Sequence, residues 1–131
     1  MKFMLLMNGA SSDFEQYAKW SKEDLQRNVG FMRKFSQELK DAGAFVASEG
    51  LAFPQQAKLV RAGEHGEPIT DGIFPESKEF LAGYWIIDVE NAQEAYNFAA
   101  RLSASPGPGG KPGNMPVEVR QVMSSHADYG L

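Results

Sequence analysis

Residues 80–89, FLAGYWIIDV, constrain the fold of this chain more than any other stretch. In an extended strand Leu81, Gly83, Trp85, Ile87 and Val89 point one way, and Phe80, Ala82, Tyr84, Ile86 and Asp88 the other. Both faces are apolar. The same is true of residues 3–7, five apolar residues in a row. Such runs fit strands buried on both sides, because a strand with one wet face alternates.

The remaining elements follow in order. Residues 8–17 are polar and contain glycine, and read as a loop. Ser21 reads as the N-cap of a helix, with Glu23 and Asp24 in its first turn and Gly43 as the residue just past its end. Leu25, Val29, Met32, Phe35 and Leu39 recur at three- and four-residue steps on that helix, and Phe31 widens the stripe. The stripe reads as core packing against a sheet rather than as a ligand surface. Residues 44–50 read as a second strand, with Phe45, Ala47 and Glu49 on one face and Val46 and Ser48 on the other. A hairpin follows, with arms at 57–62 and 67–70 around the polar turn Gly63-Glu64-His65-Gly66. After the strand at 80–89, Asn91 and Glu94 form the capping pair of a helix whose inner face carries Ala92, Ala95, Tyr96, Ala99 and Leu102. Residues 103–114 hold enough glycine and proline to read as a flexible connector. Those prolines lack the N–H groups that a phosphate cradle needs. Residues 117–123 form the last strand.

Without the hairpin this order is the split βαβ, ferredoxin-like pattern: an α+β fold with an antiparallel sheet and two helices on one face. Two helices leave the other face of the two-faced strands uncovered. A second copy of the chain is the expected cover, giving a homodimer packed sheet to sheet as an α+β barrel. The 131 residues fit one domain. With 13 basic against 17 acidic residues and no basic cluster, nucleic acid is not an expected partner. The apolar start ends at Asn8-Gly9, too short for a signal peptide core or a membrane span, so a cytoplasmic protein is expected. The absence of cysteine excludes disulfides, thiolate metal sites and a thiol nucleophile.

The turn before the organising strand, Thr70-Asp71-Gly72, is followed by the charged Glu76-Ser77-Lys78-Glu79. Asp71 is the candidate catalytic residue: a carboxylate at a pocket mouth, desolvated by Phe74 and Trp85, could act as a base or hold a cation. The competing reading is an Asx-turn that only bonds nearby amides. Lys78 could neutralise Asp71 or an anionic ligand, and with Glu79 could equally form a surface ion pair. Tyr84 and Trp85 are candidate ligand contacts, or core and interface aromatics. Glu118 and Arg120, two residues apart on one strand face, can act together or reach Glu49 on a neighbouring strand, either as ligand contacts or as an ion-pair network at the dimer interface. His126 and Asp128 alone do not make a metal site, and neither a metal nor a cofactor is assigned.

Thr70-Asp71-Gly72-Ile73-Phe74, then Glu76-Ser77-Lys78-Glu79 and Gly83-Tyr84-Trp85, resemble the DGPF branch of the YCII-related proteins. So do the opening Met1-Lys2-Phe3-Met4-Leu5-Leu6, Ser48-Glu49-Gly50-Leu51, Val117-Glu118-Val119-Arg120-Gln121-Val122 and the closing Asp128-Tyr129. The resemblance implies a dimeric ferredoxin-like α+β barrel. It brings no settled activity: many members are described only as possible enzymes, and some occur beside or fused to sigma factors. Ile73 stands where the motif has proline, which gives up a fixed φ. The loop at 103–114 is longer than usual. Shorter YCII proteins carry a histidine proposed to partner the motif aspartate; His65 and His126 do not match its position, so that dyad does not carry over. The expected function is therefore a small-molecule enzyme or binder with a carboxylate-edged pocket between sheet and helices. The alternative is a non-catalytic protein-interaction module linked to transcription regulation.

Overall fold

The computed structural model describes residues 1–72 and 79–131. The strands are β1 (Lys2–Gly9), β2 (Phe45–Gly50), β3 (Lys58–Ala62), β4 (Pro68–Gly72), β5 (Phe80–Asp88) and β6 (Val117–Gln121); the helices are α1 (Ser11–Tyr17), α2 (Lys22–Asp41) and α3 (Ala92–Ser103). Four strands form one sheet in the order β2-β5-β1-β6, with each neighbouring pair antiparallel. Strands β3 and β4 make a separate two-stranded hairpin. This is the expected ferredoxin-like α+β arrangement with an added hairpin.

The predicted helix ends are where their chemistry requires them. The Asp24 N–H donates to Ser21 Oγ at 3.0 Å, and the Glu94 N–H to Asn91 Oδ1 at 3.0 Å. Gly43 stands just past α2 at φ 70°, a left-handed conformation that glycine adopts without a Cβ penalty. The core lies between the sheet and the long helices: Phe3, Leu5, Trp85, Ile87 and Val89 pack against Phe35, Leu39, Ala95, Ala99 and Leu102. Arg101 reaches Glu38 and ties α3 to α2. Tyr96, expected on the inner face of α3, is exposed instead.

Three further expectations are corrected. Residues 8–17 are not all loop, because α1 forms within them. The Asp13 carboxylate accepts the Ala10 N–H at 2.8 Å, satisfying a donor at the helix start, while Phe14 is buried. The face assignments of β2 and β5 change at two bulges. In β2 the register passes from Phe45↔Ile87 to Ala47↔Ile86, so Val46 is the extra residue and Phe45 and Ser48 share the helix side. In β5 it passes from Met7↔Gly83 to Asn8↔Leu81. Phe80 is thereby turned to the helix side, where its ring meets Phe14 edge-on at 6.4 Å.

The third correction concerns the Gly/Pro stretch, which is an ordered, docked loop. Its ends close on each other through Gly107 N–H to Lys111 C=O at 2.7 Å and Gly113 N–H to Ser105 C=O at 2.9 Å. Asn28 Nδ2 donates to the Pro106 carbonyl at 3.0 Å, and the Gly109 N–H donates to Asp24 Oδ1 at 3.1 Å. Two polar side chains of α2 therefore hold the loop against the helix. Composition signals where the chain can turn; it does not signal whether the turn finds partners.

Candidate ligand-binding cleft

The loop, α1, α2 and the ends of β1, β2 and β5 enclose a cleft of about 860 Å³. This lies within the range of roughly 300–1,000 Å³ usual for small-molecule sites. Its α2 wall runs from Asn28 to Lys40. Past Phe35 and Leu39, which fill the core, Val29 and Met32 from the same stripe face the cleft. Val29 is 42% exposed. The stripe thus divides: Phe35 and Leu39 are core, as expected, while Val29 and Met32 line the cleft.

One end of the cleft is aromatic. Phe14 and Tyr17 of α1 meet Phe53 edge-on at 6.0 and 6.3 Å, and Tyr17 lies 4.9 Å from Trp20 between ring centroids. The floor is Trp85, only 6% exposed. Its ring packs edge-on against Phe35 at 5.5 Å, and its indole N–H donates to Ser36 Oγ at 3.1 Å. Gly83 beside it keeps the floor low: a Cβ there would stand 3.0 Å from the Glu49 carbonyl.

The candidate residues fall in three places. Trp85 is in the cleft. Tyr84, Glu118 and Arg120 are on the opposite face of the sheet, where Leu6 pairs with both Tyr84 and Glu118, and Met4 with Arg120. Glu49 pairs with Tyr84, so strand alternation puts its side chain on that face too. Arg120 Nε lies 3.5 Å from Glu118 Oε2, so these two side chains form an ion pair. Neither can reach Glu49 within one chain. Strands β2 and β6 are the two sheet edges, about 14 Å apart across three strand spacings.

Asp71 is on β4 of the hairpin, opposite Leu59, with its side chain 59% exposed and 3.9 Å from Arg61 Nε. It does not line the cleft. Lys78 and Phe74 lie outside the described residues. An exposed pair at that distance contributes little, so Asp71→Asn is expected to change stability by no more than about 0.5 kcal/mol. Urea denaturation checks this; a loss above ~1.5 kcal/mol would mean that Asp71 has a partner beyond Arg61. The Asp128 carboxylate accepts the N–H groups of Ser124 and Ser125, and the Ser124 bond foremost holds its pKa below the ordinary value. It serves a local turn. Among the described residues no group of three or more His, Asp or Glu side chains could hold a metal ion.

Several cleft residues went unread in the sequence: Phe14, Tyr17, Trp20 and Phe53, and the polar row Arg33, Ser36, Gln37 and Lys40 of α2. A signal for the first three was present, since aromatics recur at three-residue steps from 14 to 20.

A two-layer α+β domain with a cleft between its sheet and helices is one class to which ferredoxin-like folds lead. The chain belongs to the YCII-related domain family, whose pattern is matched by residues 1–106. It is also similar to an uncharacterised protein of Rhizobium meliloti (strain 1021), 31% identical over 107 residues, or 74% of this chain and 86% of that protein. The family match ends before β6, the strand that carries Glu118 and Arg120. No helix among the described residues is long and apolar enough to cross a membrane.

Proposed function

We propose that this YCII-related protein, read as one of the DGPF branch, binds a small molecule in the cleft between α1, α2 and the sheet, and does so as a homodimer joined through the opposite sheet face. One observation carries the ligand reading. The cleft is walled by aromatic and aliphatic side chains that the chain's own core leaves unfilled, beside a few polar groups. Small-molecule sites have this composition. Asp71 takes no part in this reading.

The dimer reading rests on the other face. Met4, Leu6, Tyr84 and Ile86 form an apolar centre on the two inner strands, and Glu49, Glu118 and Arg120 flank it at the edges. All four central side chains are only half-buried in one chain. An apolar centre with charged edges is how a protein interface is organised.

A neutral apolar dye tests the ligand site. Phenylnaphthylamine is expected to bind with a rise in fluorescence, and Val29→Trp, which puts an indole into the cleft from an exposed helix position, is expected to weaken binding at least about tenfold. Binding unchanged in Val29→Trp, or no binding by the unmodified protein, would contradict the ligand reading.

A further inference from the structure

We propose that the cleft is built for an organic acid: an aromatic or branched apolar body in the aromatic end, with its anionic group held along α2 by Arg33, Ser36 and Lys40. This rests on the cleft being a ligand site and specifies the ligand's class.

Residues 33, 36, 37 and 40 are spaced i, i+3, i+4 and i+7, so they form a row along one face of α2. All four line the cleft. The row offers hydrogen-bond donors. Ser36 Oγ already accepts the Trp85 indole N–H, and its own proton has no acceptor among the described residues. That hydroxyl can therefore donate into the cleft. Gln37 spends an amide N–H on Asp41 at 2.9 Å. Arg33 and Lys40 carry positive charge, and neither has a carboxylate within 4.0 Å among the described residues. The Lys40 ammonium instead stands 4.9 Å from the Phe45 ring centroid.

Among the described residues the two acidic residues along the cleft, Asp13 and Glu49, form no ion pair with these cations. The Asp13 carboxylate accepts the Ala10 N–H at the start of α1. Glu49 lines the cleft while its side chain follows Tyr84 to the other sheet face. Arg27, six residues before Arg33 on the same helix, shows the contrast: it is paired with both Glu23 and Asp24 at 3.1 Å. Two cations and a hydroxyl proton without partners among the described residues, in one row beside an aromatic box, match a carboxylate or sulfonate attached to a ring. Charge-assisted hydrogen bonds to such a group are shorter and about twice as strong as neutral ones.

The test compares two dyes of nearly the same apolar body. Anilinonaphthalene sulfonate carries an anionic group and phenylnaphthylamine does not. The intact protein is expected to bind the sulfonate at least about tenfold more tightly, a margin that narrows with added salt. The double variant Arg33→Gln/Lys40→Gln is expected to lose that margin while binding phenylnaphthylamine unchanged. Equal affinity for both dyes, or a margin that survives the double variant, would overturn the organic-acid assignment and leave the cleft as a neutral site. Binding of either dye unaltered by Val29→Trp would show a different surface and overturn both readings.

Discussion

Trp85→Ala should remove about 3–5 kcal/mol of stability, the usual cost of truncating a large core side chain. Three sets of contacts converge on this residue. In the sheet it stands between Leu5 of β1 and Ser48 of β2. Above it the Phe35 ring packs at 5.5 Å with an interplanar angle of 80°, and Ser36 accepts its N–H. Aromatic pairs in this geometry contribute about 0.5–1.5 kcal/mol beyond burial. Domains are stable by only about 5–15 kcal/mol, so the variant should fold but melt early. Trp85→Phe keeps a ring against Phe35 and loses the Ser36 bond, and should cost about 1–2 kcal/mol. Urea denaturation of the two variants reads the difference. If both cost less than about 1 kcal/mol, Trp85 is a cleft rim residue and not the support on which the floor rests.

Ile86→Arg should leave the fold intact and separate the proposed dimer. Ile86 pairs with Met4 on one side and Ala47 on the other, at the centre of the open face. In a single chain an arginine there can extend into water. In a sheet-to-sheet dimer each copy would bury an unpaired guanidinium, at a cost of several kcal/mol per charge. The dissociation constant should rise at least about a thousandfold, which corresponds to roughly 4 kcal/mol. Light scattering at micromolar concentration should give twice the 14.4 kDa chain mass for the unmodified protein and 14.4 kDa for the variant, with unchanged circular dichroism. A monomeric unmodified protein would contradict the dimer, and a dimeric variant would move the interface to another surface.

The architecture was legible because the strongest signals were long-period ones. Two strands apolar on both faces, a helix capped at Ser21 and another at Asn91 require a covered sheet, and the sheet has the order they imply. The local detail was less legible where one residue changes the pairing. A bulge at Val46 is invisible in a six-residue strand, yet it moves Ser48 beneath α2. The bulge in β5 turns Phe80 to the helix side, where it backs Phe14 at the aromatic end of the cleft.

The site was the least legible part, for a related reason. Ionisable residues in a turn, such as Asp71, are conspicuous in a sequence whether or not they line a site. The hairpin that carries it is exposed along nearly its whole length. The cleft, by contrast, is made of residues that look like ordinary core: a helix stripe, scattered aromatics and a Gly/Pro loop. What sets it apart is the space left between α1, α2 and the ends of β1, β2 and β5, together with the docking of the loop by Asp24 and Asn28. Both are tertiary facts with no local signature.

The chain has two tryptophans, Trp20 and Trp85, and both line the cleft. Their indole N–H signals in a nitrogen–proton correlation spectrum therefore report on the site directly. On titration with naphthoate, both indole signals should move and saturate together, while the amides of Arg61 and Asp71 stay in place. Stationary indole signals, with shifts confined to the hairpin or to the Tyr84 face, would contradict a ligand site between α1, α2 and the sheet.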